Sequence, residues 1–537
     1  MSKPRHLTEV ATAAALDGGP QRPLEHEVLA HALEARERDD RPWLWFHTGA
    51  RREALSFSGA FSLARGWAAA LFQAGVRAGD AVGIFQPNSP DFVGGFFGAQ
   101  LLGATAVPLP WPVVPGGAPS LPMGAEAMLR VARARAVCAP PGTAAPLHVV
   151  SEASRGPFVQ KPQARTTAFI QFTSGSTGRP RGAEISQRAA MSSAHGMARA
   201  LGLTADDVGV SWLPFFHDMG LVGVLMSSLA AGFAVHVLRP TEVLLHPRRW
   251  LELMSSERAS LTVAPNFGYE LLVRRGGSCE GLTLGWLRAA LSGSEPVLRG
   301  TIDAFERRFE PAGLRRGTVL PVYGLAENTL GVCFARPGEL DADLHFEGRW
   351  VPAVGTPLEG TKVAVRRGDG TRALEHEEGE IIVKGPSLMD GYVGDSRATA
   401  RAFDGGWLKT GDRGVVAQGQ LHVTGRDKEL VIKAGRKFHP ADIEREVAQV
   451  VDTPPNGVAA FSVLHEEQRG EELVVVVELK RDEPFDVARK VRGHLADALG
   501  VTPDRVELVK AGMLPRTTSG KLRRGECAER FSAGAPA

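Results

Sequence analysis

Thr173-Ser174-Gly175-Ser176-Thr177-Gly178-Arg179-Pro180-Arg181-Gly182 packs three glycines, four hydroxyls and two arginines into ten residues. Glycine lets backbone N–H groups approach phosphate oxygens, Ser and Thr add neutral donors, and arginine adds charge-assisted forks, so the stretch has the composition of a triphosphate cradle. Its flanks decide the fold. The β-prone run Ala168-Phe169-Ile170-Gln171-Phe172 precedes it, and Ala183-Glu184-Ile185-Ser186 follows as a second short strand, so the loop joins two strands. A Walker loop needs a glycine, four residues, then Gly-Lys-Ser/Thr opening a helix, and no glycine here has that continuation. Taken alone, the stretch also reads as a Gly/Ser linker; segments farther along the chain argue against that.

Outward from the loop, helical patterning alternates with β segments from about Leu44 to Val237. Phe61 to Leu71 is amphipathic, and Ala81-Val82-Gly83-Ile84-Phe85 reads as a strand. Such alternation predicts an α/β fold of parallel sheets covered by helices. Between Ala335 and Val415 the helical period fades into short runs such as Val363-Ala364-Val365 and Glu380-Ile381-Ile382-Val383, which predicts a smaller β subdomain. After Gly425-Arg426 the pattern restarts, with a helix start at His439-Pro440, strands over Val458 to Val463 and Leu473 to Leu479, and a helix over Val487 to Leu499. This is a small α+β unit with a core of its own. The expected organisation is a frayed tail over 1–22, a large N-terminal domain over 23–424, and a small mobile domain over 425–537.

At 537 residues the chain is long for one core. Hydrophobic residues at 43% and charged ones at 23% are ordinary for a globular protein. A net charge of +2 with dispersed basic residues gives no case for nucleic acid. Cys138, Cys279, Cys333 and Cys527 stand singly, which argues against a disulfide framework or a zinc site and fits a reducing cytoplasm. Leu221 to Leu238 is uncharged but carries Ser227, Ser228, Gly232 and His236. It is expected to be a buried helix and a buried strand split at Gly232, not a membrane span.

Four further segments supply what a bound nucleotide needs. Tyr323-Gly324-Leu325-Ala326-Glu327 offers a flat ring for a base and a carboxylate for Mg²⁺. Thr410-Gly411-Asp412 puts a carboxylate at a turn, where it either accepts ribose hydroxyl hydrogen bonds or caps the turn. Gly425-Arg426-Asp427-Lys428 sits at the expected boundary, as hinge or as contact. Pro515-Arg516-Thr517-Thr518-Ser519-Gly520-Lys521 presents one lysine on a Gly/Ser loop.

In this order the segments resemble the adenylate-forming superfamily of acyl-CoA synthetases, firefly luciferase and peptide-synthetase adenylation domains, over about Pro42 to Phe531. Within it the chain looks most like fatty acyl-AMP ligases. The carrying residues are Ser211 to Leu221, with Phe215-Phe216-His217-Asp218-Met219-Gly220, then Ala264 to Leu271, Ser292-Gly293-Ser294-Glu295-Pro296-Val297, and Gly435 to Glu444. The resemblance implies ATP and Mg²⁺, and a two-step reaction. A carboxylate attacks the ATP α-phosphate to give acyl-AMP and pyrophosphate, and a thiol or amine then takes the acyl group. It implies a fatty acid as substrate and, as acceptor, an acyl carrier protein or a polyketide or peptide synthase carrier domain.

By the same resemblance, Thr173, Ser174, Gly175, Ser176, Thr177, Gly178 and Arg181 would hold the β- and γ-phosphates, with Thr177 and Glu327 near the metal. Lys521 would bridge the substrate carboxylate and the α-phosphate. Adenine would lie between Tyr323, followed by Gly324, and the Gly293-Ser294-Glu295-Pro296 backbone. Asp412 would take the ribose, Arg426 the ribose or phosphate, and His217 would border the carboxylate. Lys428 would be the hinge, and an apolar acyl tunnel would come partly from the helix after Met219. Two departures stand out. Arg181 occupies a position where Lys is common. The interval Ala335 to Pro352 is short where many fatty acyl-AMP ligases carry an insertion associated with refusing coenzyme A, so free CoA stays open as the acceptor. An amino acid held by Asp218 and a catalytically silent nucleotide- or carrier-binding relative are the other readings. Intact Glu327, Asp412 and Lys521 argue against the silent one.

Overall fold

The structure is a computed structural model describing residues 13–112, 120–122, 124–158, 163, 165–173, 180–337, 343–346, 349–427, 431–433, 436–465, 470–480, 486–516 and 521–531. Among these, two large sheets dominate, one seven-stranded and one nine-stranded. In the first, Ala81–Ile84 runs parallel to Thr105–Pro108 and Ala134–Cys138, while Thr167–Thr173 pairs antiparallel with Arg181–Ser186. The two strands expected around the phosphate loop therefore form one hairpin. Every residue of Ala81–Ile84 and Thr105–Pro108 is buried, as strands covered by helices on both faces require. The helix Pro90–Leu102 shows how locally these elements are specified. Ser89 accepts the Phe92 amide, Pro90 opens the first turn, and Gly103 closes the last one at φ 72°.

The second sheet carries the parallel strands Ala234–Val237, Val208–Ser211, Leu261–Ala264, Ala289–Ser292 and Val319–Leu325, in that spatial order. The uncharged stretch splits at Gly232 as expected. A wide π-helical segment, Met219–Met226, leads into the α-helix Ser227–Ala231, Gly232 caps it at φ 79°, and the strand Ala234–Val237 follows. Among the described residues no helix is long and apolar enough to cross a membrane.

The β subdomain is an antiparallel sheet of Lys362–Arg366, Gly379–Lys384, Trp407–Ala417, Phe403–Asp404 and Gln420–Arg426. It corrects the reading of the expected tail from residue 13 onward, residues 1–12 lying outside the described residues. Ala15–Asp17 is not frayed but pairs with Lys362–Arg366, and Ala14 is fully buried. Gly18 donates to the Thr361 carbonyl at 2.9 Å, and Gln21 to Ser192 Oγ at 2.8 Å. Gln420–Arg426 runs through the expected boundary at Thr424/Gly425, held in register by Gly425 opposite Arg413 and Arg426 opposite Asp412. Beyond it, the helices Pro440–Val450 and Val487–Leu499 cover the strands Val458–His465, Gly470–Leu479 and Arg505–Lys510. Ile443, Val447, Val475, Val477, Val491 and Leu495 form the core of this unit, which among the described residues draws only on those after 430.

Candidate active site

The candidate site lies beyond the carboxyl ends of the parallel strands of the nine-stranded sheet, where loops can gather side chains on a rigid base. The segment after the strand Val208–Ser211 is held from the other sheet. Asn88 donates through Nδ2 to the Leu213 carbonyl and accepts the Phe215 amide, both at 2.9 Å, and Gln171 donates to the Phe216 carbonyl at 3.1 Å. These bonds fix where His217 and Asp218 emerge. His217 Nδ1 lies 2.7 Å from Asp218 Oδ1.

Lys521, from the C-terminal unit, reaches this pair. Its ammonium donates to Ser294 Oγ and lies 3.4 Å from His217 Nε2. Ser294 holds a left-handed backbone, φ 73°, an uncommon conformation for a residue with a Cβ and one that recurs at functional sites. Gly293 before it passes so close to the next strand that an added Cβ would meet the Val322 carbonyl oxygen at 2.6 Å. Burial pushes the Lys521 ammonium below the ordinary lysine range, against the pull of Asp218 and Glu295. Burial alone would raise the Asp218 carboxyl, but His217, Lys521 and the Met219 amide bring it down to about 2. Glu295 goes the other way: burial raises it, although the Phe267 amide donates to Oε1 at 2.7 Å.

A second cluster joins three predicted residues. Tyr323 donates through its hydroxyl to Asp412 Oδ2 at 2.7 Å, and Arg426 donates through Nε to Asp412 Oδ1 at 2.8 Å. Asp412 is not at a turn as expected. It lies inside the strand Trp407–Ala417 and is buried, and Gly411, at φ 70°, accounts for the turn-like composition of Thr410-Gly411-Asp412.

A third cluster surrounds Glu327, on a single 3₁₀ turn over Ala326–Asn328. Tyr392 donates through its hydroxyl to Glu327 Oε1 at 2.8 Å, and the Arg181 guanidinium stands 5.8 Å from the Tyr392 ring centre. Thr173 and Arg181 face each other as the last paired residues of the hairpin. Ser174, Gly175, Ser176, Thr177 and Gly178, and the expected hinge Lys428, lie outside the described residues. A carboxylate with one oxygen braced by a phenol is a hard oxygen ligand of the kind magnesium takes beside phosphates, so Glu327 fits the implied ion. Tyr392 and Asn88 were not singled out in the sequence. One signal was available for Tyr392: the chain has three tyrosines, and two of them brace candidate site carboxylates.

Below Asp218, Ser294 and Tyr323 an apolar pocket opens between the sheet and the segment Met219–Met226, lined among others by Met219, Val224, Val263, Leu330 and Phe334.

Residues 32–393 match the family described as AMP-binding enzyme. A 4-hydroxyphenylalkanoate adenylyltransferase of Mycobacterium marinum is 32% identical over 515 residues, covering 84% of this chain and 82% of that protein. The medium-chain-fatty-acid–[acyl-carrier-protein] ligase JamA of Moorena producens is 33% identical over 414 residues, 70% of each chain. Among solved structures, a chain from a study of fatty acyl-adenylate ligases from E. coli and L. pneumophila superposes with a TM-score of 0.84 at 29% identity, over 96% of this chain and 99% of that one. The chain belongs to the AMP-binding enzyme family of adenylate-forming ligases.

Proposed function

We propose that this enzyme activates a fatty acid as its acyl-adenylate and then passes the acyl group to the phosphopantetheine thiol of an acyl carrier protein or synthase carrier domain. The observation that carries the reading is the Lys521 ammonium, set among Ser294, His217 and Asp218 at the mouth of an apolar pocket. A carboxylate entering there with its tail in the pocket meets a cation beside the nucleotide site. In the first step a carboxylate oxygen bonds to the α-phosphorus and the bond to pyrophosphate breaks. Both reactants are anions, so the work is positioning and charge stabilisation, which Lys521 supplies. Asp218, ionised down to about pH 2, keeps His217 oriented beside it. The Tyr323 and Asp412 cluster, with Arg426, is assigned to the nucleoside, and Thr173 to Gly178 with Arg181 to the β- and γ-phosphates. Glu327 and Thr177 would hold Mg²⁺, which offsets phosphate charge.

In the second step a thiol sulfur bonds to the acyl carbonyl carbon, AMP leaves and the thiol proton is released. The rotation this needs is assigned to Lys428. The name of the JamA relative supports a carrier protein as acceptor. The short Ala335 to Pro352 interval favours free CoA instead. Incubation of the enzyme with ATP, Mg²⁺ and a C8 to C16 fatty acid series, with either a holo carrier protein or CoA, separates them. Acylated carrier protein supports the proposal. Rapid acyl-CoA formation with no carrier protein acylated makes this an acyl-CoA ligase.

A further inference from the structure

The floor of the apolar pocket narrows the substrate further, on the basis of the site reading just given. The pocket runs backward along the parallel strands. Its mouth is at Asp218, Ser294 and Tyr323, and its deep end is at Leu203, Gly209, Phe233, Val235 and Leu261. Leu261 is level with Ala289 in the sheet, three residues before Ser292 at the strand's end. At ~3.3 Å per strand residue, the deep end lies about 10 Å below Ser292. A carboxylate held at Lys521 therefore sends its tail to a floor that includes Phe233, Val235 and Leu261, all buried.

The side-chain polar groups along this path already have partners. Ser227 Oγ donates to the Val222 carbonyl at 3.0 Å. Thr262 Oγ1 donates to the Val210 carbonyl at 2.7 Å and receives the Trp250 indole N–H at 3.0 Å. Ser211 Oγ receives the Leu213 amide at 3.2 Å and sits at the mouth end of its strand. The backbone offers little more, since the floor strands Val208–Ser211, Ala234–Val237 and Leu261–Ala264 are neighbours within one sheet. A hydroxyl delivered to the floor would give up its water among apolar side chains and find there at most a spare lone pair on Ser227 Oγ, whose own O–H is already committed. Small residues leave the pocket open to bulk. A Cβ on Gly223 would meet only the flexible end of Leu330, at 3.1 Å.

We infer that the enzyme selects acids with an unsubstituted aliphatic tail and discriminates against tails that end in a hydroxyl, whether an ω-hydroxyalkyl chain or a 4-hydroxyphenyl group. An apolar pocket rejects an added hydroxyl by at most about 10²-fold in kcat/KM, so the expected penalty is ~10- to 100-fold.

The test is a substrate panel on the full-length enzyme, with pyrophosphate release read at saturating ATP and Mg²⁺. Decanoate, 10-hydroxydecanoate, nonanoate and a 4-hydroxyphenylalkanoate of similar length are compared by kcat/KM. The inference expects decanoate to exceed 10-hydroxydecanoate and the hydroxyphenyl acid by ~10-fold or more, with nonanoate much nearer to decanoate. Equal or better use of the hydroxylated acids, with decanoate active, overturns the tail rule and leaves fatty acid activation standing. No pyrophosphate from any acid overturns the site reading and the tail rule with it.

Discussion

Replacing Lys521 by alanine isolates the contact on which the proposed chemistry rests. The side chain spans from the C-terminal unit to Ser294 and His217, and the residues forming that unit's core do not include it. Its removal breaks the hydrogen bond to the Ser294 hydroxyl and the contact with the His217 imidazole, but it also relieves the cost of burying the ammonium, so the change in folding stability should stay within about 1 kcal/mol. The catalytic cost is larger. A preorganised donor aimed at charge developing in the transition state is worth about 10²–10³ in rate, or roughly 2.7–4 kcal/mol. Lys521→Ala should therefore lower kcat for acid-dependent pyrophosphate release by that factor. Thermal unfolding and ATP binding measured by calorimetry should stay near the parent values. A folded Lys521→Ala protein that forms acyl-AMP at the parent rate would refute the assignment. A fall in rate matched by lost ATP affinity would make the lysine a nucleotide contact instead.

Asp412→Ala should raise the KM for ATP and also destabilise the fold by about 1–3 kcal/mol, because the buried Tyr323 hydroxyl loses its acceptor. Asp412→Asn keeps an acceptor there and should spare most of the stability while still raising KM; unchanged kinetics in both variants would return Asp412 to a purely structural role. Lys428→Pro should allow acyl-AMP formation but block thioester formation, since proline fixes φ where the chain is assigned to turn, and parallel loss of both steps would count against the hinge. His236 is held neutral by burial and by His47 and Arg52, which bring it down to about 3. The unfolded chain takes up that proton near pH 6.5 and the folded one resists it, so stability should fall as the pH drops from 6.5 toward 3, a loss that the Glu257 carboxylate, 3.5 Å from His236 Nε2, makes smaller. In His236→Gln that part of the acid loss, followed by chemical denaturation across pH, should disappear.

Short-range signals made the frame legible. The strands around the phosphate loop follow from β-prone runs on either side of it, and the split at Gly232 follows from one glycine that stops a helix. Signals failed where partners are distant. Ala15–Asp17 has too few residues for a strand pattern and becomes one by pairing with Lys362–Arg366. Asp412 read as a turn residue because Gly411 takes a positive φ inside a strand. Nothing local to its Gly/Ser loop gave Lys521 a partner, and only the family resemblance set it at the carboxylate; it meets residues 227 and 304 positions away in the chain. Tyr392 serves Glu327 from 65 positions away, a relation that no local pattern encodes.

Whether this chain makes an acyl-adenylate can be read in a single turnover. Full-length enzyme in excess over ATP, with Mg²⁺ and decanoate but no acceptor, is quenched and its nucleotides are resolved by mass spectrometry. Decanoyl-AMP and pyrophosphate should form in equal amounts, dependent on the acid, with no ADP. ADP with phosphate, or unchanged ATP with every carboxylic acid supplied, would contradict acyl-adenylate formation.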